Sequence, residues 1–294
     1  MQIHDDIISK IRTIPPLSQA ARQILAIMSD REQLAGSLLR IIETDAALTA
    51  RVLRVVNISQ APPLKPVATI DGAMTILGDK VVLGIALDYC TDGLLQKPLD
   101  GYLAGQGKLW EHNLLTALAA KIVALMSPFE LSAGEAYTGG MLHDIGKSVL
   151  SEFLLGSAEE MIRKIDWGVL PDYLAAEEEK LGTNHCIIGA AIATVWKLPS
   201  PVPEIIRHHH HPHTADTRFR GIVYAVHLGD IIAMMMGSGT GSDSLYYKLE
   251  NGYKDALGIN KNQFPAIMLR VEEEFKKAQD FVKGGSVDAD NPDR

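Results

Sequence analysis

A histidine next to an aspartate, His143-Asp144, lies within the mainly apolar stretch Gly140-Met141-Leu142-His143-Asp144-Ile145-Gly146-Lys147. An imidazole nitrogen and a carboxylate oxygen both reach a divalent cation at ~2.0–2.2 Å, and the carboxylate can bridge to a second one. Adjacent residues on a helix point about 100° apart, so both serve one centre only if it lies beside the helix. Lys147 follows at i+4 from His143 and i+3 from Asp144, which puts an ammonium group on the same face.

Five more positions carry ligand-type side chains inside apolar runs: His112, His185, His209, His210 and Asp230. Taken singly, each has a structural reading. A lone histidine on an apolar face is usually a satisfied core residue. The tract His208 to His211 with His213 would take up nickel or zinc as any histidine run does. Asp230 has no lysine or arginine within a helical turn to neutralise it. Taken together, the order His, His-Asp, His, His-His, Asp on separate helices points to divalent-metal chemistry.

These side chains must be positioned by a chain of 294 residues, 47% apolar and 22% charged, which is ample for a sizeable core. The net charge of −8 argues against a nucleic-acid partner, which demands a basic footprint, and gives no attraction to anionic lipid. Cys90 and Cys186 stand far apart without CxxC spacing, so no disulfide framework is expected. The first residues have neither a basic nor an apolar signal region, and no apolar run reaches about 18 residues. A soluble cytoplasmic protein is the expectation.

Apolar periodicity predicts helices throughout, hence an all-α fold. Leu17 to Met28, Leu34 to Ile42, Ala46 to Ile58, Thr69 to Leu77 and Lys80 to Tyr89 form a first group. Ser29-Asp30 and the prolines at 62, 63 and 66 break the chain between its members. Asp45 and Asn57 read as capping residues. A glycine-bearing loop over 96–108 leads to helices at Lys108–Met126, Ala133–Leu155 (breaking near Gly139-Gly140), Ala158–Ile165, Pro171–Leu181 and Asn184–Trp196. Val202–His209, Phe219–Met236, Ser244–Leu257 and Lys261–Phe281 complete the series. The expected organisation is an N-terminal helix over 1–13, a helical lobe over 14–100, a metal-binding lobe over 108–240, a helical extension over 244–283 and a disordered polar tail over 284–294.

The ligand order resembles the HD superfamily of metal-dependent phosphohydrolases. More closely, residues from about 14 to 213 resemble an HDOD domain, the HD-related output domain of bacterial signalling proteins. The resemblance is carried by Ile14-Pro15-Pro16-Leu17, by Glu43-Thr44-Asp45-Ala46-Ala47-Leu48-Thr49-Ala50-Arg51-Val52-Leu53, by Ala73-Met74-Thr75-Ile76-Leu77-Gly78 and by Trp110-Glu111-His112. It continues through the His143-Asp144 stretch, His185 to Gly189, and Trp196-Lys197-Leu198-Pro199 leading into His209-His210.

This resemblance implies a helical N-terminal lobe packed on an HD-like helical lobe, and a role in bacterial signal transduction. It implies one or two divalent ions (iron, manganese, zinc or nickel), with Asp144 bridging. His112, His143 and Asp230 would complete one centre, and His185, His209 and His210 the other. Many HDOD domains have lost such ligands and act by interaction, whereas this sequence keeps every ligand type. It departs from the HD-GYP cyclic-di-GMP phosphodiesterases, because His211-Pro212-His213 follows His210 without Gly-Tyr-Pro, and Lys108 stands one turn before His112. Two expectations follow. One is a signalling module with a metal site, acting on a protein partner in trans or on a phosphorylated small molecule or nucleotide. The other is a phosphohydrolase in which Asp144 and Lys147 act catalytically, Lys147 holding a phosphate oxygen.

Overall fold

The computed structural model of the chain describes residues 2–27, 34–59, 67–91, 93–244 and 246–284. Among the described residues the only β-type pairing is one isolated bridge, Leu99 to Ala104, and the fold is all-α as expected. The helices are α1 (Gln2–Arg12), α2 (Gln19–Ile27), α3 (Leu34–Thr44), α4 (Ala46–Ser59), α5 (Ile70–Leu77) and α6 (Asp79–Cys90). After short 3-10 turns follow α7 (Lys108–Met126), α8 (Ala133–Leu142), α9 (Lys147–Leu150), α10 (Ala158–Asp166) and α11 (Tyr173–Leu181). The series closes with α12 (His185–Val195), α13 (Val202–His208), α14 (Arg220–Met235), α15 (Tyr253–Leu257) and α16 (Phe264–Gly284). None of them is long and apolar enough to cross a membrane. The break at Ser29-Asp30, the prolines over 62–66 and the polar tail from 285 lie outside the described residues.

Helices α2 to α6 pack on one another around Ile24, Leu38, Ile42, Leu48, Val52 and Val56, all buried. Asp45 caps α4, its Oδ1 accepting from the Leu48 N–H at 3.0 Å. Asn57 does not cap. Its side-chain oxygen accepts from the Val67 N–H at 2.7 Å and its amide donates to Val67 O at 2.8 Å, so it fixes the incoming chain ahead of α5.

The second lobe is built on α7, which is apolar on every side and buried nearly all round, the pattern of a central core helix. Helices α8 and α14 lie against it at very short range. A Cβ at Gly140 would stand 2.5 Å from Ala117 Cα, and one at Gly229 would stand 2.8 Å from Ala120 N, so both positions require glycine. Helix α16 buries Ile267, Val271 and Phe275 and packs on both α7 and α4, which ties the lobes together. Helix α1 rests on α9 and α12 of the second lobe, through buried Ile7 and Ile11.

Two expected helices are corrected. The predicted run over 133–155 does not break at Gly139-Gly140, because those glycines serve close helix packing. It breaks at 143–146, where a turn links α8 to α9. The predicted helix over 244–257 is reduced to α15, and the chain before Gly252 is irregular. There Thr240, Asp243 and Tyr247 spend their polar groups on tertiary partners rather than on a solvated helix face.

Candidate metal centre

All seven sequence-predicted ligands meet in one buried cluster, exposed by only 0–6%. His112 comes from α7, His143 and Asp144 from the turn after α8, and His185 from the first position of α12. His209 and His210 follow α13, and Asp230 lies on α14. The turn at 143–146 lets the two neighbours His143 and Asp144 reach the same point. Gly146 lets α12 reach it too, since a Cβ there would stand 2.0 Å from His185 O.

The histidine tautomers are set by fixed acceptors. Nδ1 of His112 donates to Ser238 O at 3.0 Å, that of His143 to Gly140 O at 2.8 Å, and that of His209 to Ile206 O at 2.8 Å. His185 Nδ1 donates to Glu177 at 2.8 Å. In each case Nε2 is the nitrogen turned inward, available to an ion once any proton on it is released, which is how metal-binding histidines are prepared by their outer neighbours.

The Nε2 atoms and carboxylate oxygens then fall at coordination distances. Bonds of ~2.1 Å place two ligands of one ion between ~3.0 Å, at right angles, and ~4.2 Å, opposed. His112 Nε2 is 3.7 Å from Asp144 Oδ2 and 3.1 Å from Asp230 Oδ1; His143 Nε2 is 3.5 and 3.9 Å from the same atoms. The other oxygen of Asp144, Oδ1, is 3.4 Å from His185 Nε2 and 3.6 Å from His209 Nε2, while His185 Nε2 is 3.1 Å from His210 Nε2. Asp144 thus offers one oxygen to each set.

Charge and hydrogen bonding point the same way. His143 Nε2 and His210 Nδ1 are buried without a hydrogen-bond partner, and the Asp144 carboxylate, buried as well, has the Lys147 ammonium against one oxygen, Oδ2. Asp144, Asp230, Glu177 and Asp243 put four buried carboxylates against one ammonium, that of Lys147. Left metal-free, part of the cluster holds protons instead, while burial keeps the His143 and His210 imidazoles neutral. For His209, burial pulls the imidazole down, but Cys186 and Asp144 outweigh it and push it up to about 10. For His112, burial is likewise outweighed by the hydrogen bond to Asp230 and its charge, and the imidazole rises. Asp144, disfavoured as an anion by burial, is nonetheless held well below the usual carboxylate range by Lys147 and His143. Divalent ions would release those histidine protons and balance the carboxylates.

Lys147 is neither a surface lysine nor open to solvent. It is buried, 2.6 Å from Asp144 Oδ2 and 2.5 Å from Asp243 Oδ2, and donates to Thr240 Oγ1 at 2.8 Å. Burial, which lowers an ammonium pKa, is outweighed by the two aspartates, so the group stays charged. His208, His211 and His213 stay outside the cluster, and His213 pairs with Glu250 at 2.6 Å.

Several residues escaped the sequence reading. Glu177 accepts from His185 Nδ1, from the His185 N–H at 2.8 Å and from the Tyr102 hydroxyl at 2.7 Å. His227 donates to His209 O at 2.8 Å and accepts from the Glu250 N–H at 3.0 Å, so it holds the His209 backbone in place. Cys186 Sγ lies 3.7 Å from His209 Nδ1 and 3.9 Å from His209 Nε2, and with His185, His209 and His210 it forms a buried group able to hold an ion, so its thiol is a further candidate ligand of the second set. Tyr247 stacks on His210 with ring centres 3.8 Å apart and planes at 15°. Glu177→Gln is expected to weaken metal binding by roughly 10–100-fold, as removal of such an outer partner typically does. Competition against a chromogenic chelator measures this, and unchanged affinity would show that Glu177 serves only the fold.

The comparisons with known proteins agree with this reading of the fold. The HDOD domain model matches residues 14–212. A curated uncharacterised protein of Treponema pallidum (strain Nichols) is 24% identical over 225 residues, covering 75% of this chain and 42% of that protein. The chain therefore spans less than half the length of that relative. A solved structure of a proposed signal transduction protein from Marinobacter aquaeolei VT8 superposes with a TM-score of 0.69 at 22% identity, covering 95% of this chain and 65% of that one. A proposed phosphohydrolase from Shewanella amazonensis SB2B superposes with a TM-score of 0.60 at 19% identity, covering 95% and 97%. With its family model matched over two-thirds of its length and its helical lobes in the same arrangement, the chain belongs to the HDOD domain family.

Proposed function

We propose that this chain is a signal-transduction module organised around a dinuclear divalent-metal centre. Asp144 would be shared between the ions, with His112, His143 and Asp230 holding one and His185, His209 and His210 the other. The observation that carries this reading is the convergence of the Nε2 atoms on the two oxygens of Asp144 at 3.4–3.7 Å, with the outward nitrogens of His112, His143, His185 and His209 already committed to fixed acceptors. A cluster merely filling a core would instead satisfy its own polar atoms.

The same geometry favours binding over turnover. A hydrolytic centre keeps a coordination position open to solvent, whereas these ligands are sealed beneath residues 238–244 and Tyr247. The output is then a change in this covering segment, passed to a signalling protein in trans or set by a phosphorylated small molecule. The acidic net charge of −8 speaks against a nucleic-acid target.

A second reading, a phosphohydrolase acting on a nucleotide or cyclic nucleotide, draws support from Lys147, a charged ammonium 2.6 Å from the bridging carboxylate. There Lys147 would hold a phosphoryl oxygen and Asp144 would orient the centre. The ions, when bound, would supply neutralisation of the charge on the phosphoryl group.

The test is the divalent-metal content of untagged protein by plasma mass spectrometry, followed by turnover of bis(p-nitrophenyl) phosphate after loading with iron, manganese, zinc or nickel. About two ions per chain without turnover above that of the free ions is the expected result. Sustained turnover would move the assignment to the hydrolase. Protein that takes up no metal on reconstitution would overturn both.

A further inference from the structure

Residues 238–244 and Tyr247 belong to no regular element, yet Asp243 is fully buried and Thr240 nearly so. Around the Asp243 carboxylate the structure gathers three donors of different origin. Lys147 Nζ meets Oδ2 at 2.5 Å, the Thr240 hydroxyl donates to Oδ1 at 2.9 Å, and the Tyr247 hydroxyl donates to Oδ2 at 3.3 Å. The Lys147 ammonium also lies over the rings of Tyr102 and Tyr247, at 5.7 and 5.5 Å from their centres. An ammonium and two hydroxyls converging on one oxyanion make an anion-binding arrangement. It adjoins the metal centre through Asp144 Oδ2, which Lys147 contacts as well.

The segment is keyed down along its length. Ser238 O accepts from His112, the Ser242 N–H donates to Tyr102 O at 2.7 Å, Ser242 pairs with the Tyr173 hydroxyl at 2.8 Å, and Tyr247 stacks on His210. Gly241 adopts φ +111°, where a Cβ would stand 2.1 Å from Tyr102 O. Because the ligands beneath are sealed, nothing reaches Lys147 and Asp144 unless this segment moves.

Resting on the metal-centre reading above, we infer that Lys147, Thr240 and Tyr247 form an oxyanion subsite beside the metals, and that Asp243 occupies it as a resident anion. A phosphate monoester would bind by displacing Asp243 and releasing residues 241–244, while Thr240 stays in place through the hydrogen bond it accepts from Lys147. Charge selects this ligand class. With two divalent ions and Lys147, five positive charges face four buried carboxylates. Exchange of the Asp243 carboxylate for a doubly charged phosphoryl group makes the site neutral. The resident carboxylate thus holds the site shut when no phosphate is present, and the freed segment reports when one arrives.

The experiment uses the full chain loaded with metal, inorganic phosphate as the probe, titration calorimetry for affinity and amide hydrogen exchange over 238–244 as the reporter. In the wild type, phosphate is expected to raise exchange in that segment. Asp243→Asn removes the competing charge and is expected to bind phosphate at least about tenfold tighter, the factor for an open state populated at a tenth or less. Gly241→Ala loosens the segment while leaving Lys147, Thr240 and Tyr247 in place, and is expected to shift affinity the same way. Metal content measured on each sample separates the two ideas. Metal retained with equal or weaker phosphate binding in both variants, and no change in exchange, overturns the inference and leaves the metal centre standing. Failure of the wild type to load metal overturns both.

Discussion

Asp144→Ala is expected to empty both halves of the metal centre, reducing the content from about two ions per chain to a trace. Asp144 brings an oxygen close to two histidines of each ligand set, 3.5 and 3.7 Å from His143 and His112 on one side, 3.4 and 3.6 Å from His185 and His209 on the other, whereas Asp230 reaches the second set only at 4.0 Å, from Oδ2 to His210 Nδ1. Loss of any single histidine removes one donor from one ion, but loss of Asp144 removes a donor from both. It also leaves the buried Lys147 ammonium with Asp243 as its remaining carboxylate. Breaking a buried ion pair by deleting one partner typically costs about 3–5 kcal/mol. Asp144→Asn separates the two effects. It keeps the shape and an oxygen for Lys147 while removing the charge, so it should recover part of the stability and none of the metal. Plasma mass spectrometry and thermal unfolding of both variants, with and without added metal, measure this. Two ions retained in either variant would refute the bridging role.

Much of this cluster was legible in the sequence because its side-chain types are conspicuous where they occur. A histidine or aspartate amid Leu, Ile, Val and Ala, as at His112 or Asp230, has few ways of being satisfied in a core. The fold class followed from helical periodicity, clear in α2 and α3, and from the length of the apolar runs that form α7 and α14. What stayed hidden were carboxylates in ordinary-looking surroundings. Glu177 stands in Glu177-Glu178-Glu179-Lys180, which reads as a solvated charged face. A signal was present nonetheless. Tyr173, Ala176, Glu177 and Leu181 share one face at helical spacing, and all four are buried, so Glu177 had to point inward with its apolar neighbours. Thr240 and Asp243 gave no such signal. They lie in irregular chain with no period to read, and only the packing of Ser238, Ser242 and Tyr247 on the second lobe brings them to Lys147. The glycines misled for a related reason. Gly139-Gly140 reads as a helix break because glycine is a poor helix former, but its lack of a Cβ is used for contact with α7 and with Ile205 of α13.

Gly146→Ala is the smallest change expected to take one ion and leave the other. The added Cβ would stand 2.0 Å from His185 O and 2.7 Å from Gly189 N. Both are backbone atoms of α12, so no side chain can turn aside to make room. Ordinary contact, at 3.4 Å or more, requires α12 to retreat by about 1.4 Å, carrying His185 with it, and by then the 3.4 Å separation between His185 Nε2 and Asp144 Oδ1 has outgrown a shared ion. His112, His143 and Asp230 stand on α7, the turn after α8 and α14, and α12 supplies none of them. The expected result is therefore about one ion per chain instead of two. Overpacking of this kind costs about 1–3 kcal/mol, or a fall of roughly 2–12 °C in the unfolding midpoint at this chain length. Helix content by circular dichroism should not change. A metal content of two in the variant would mean that α12 moves without disturbing His185, and His185 would then have to be struck from the ligand set. A content of zero would mean that the two halves load only together, with Asp144 unable to hold either ion alone.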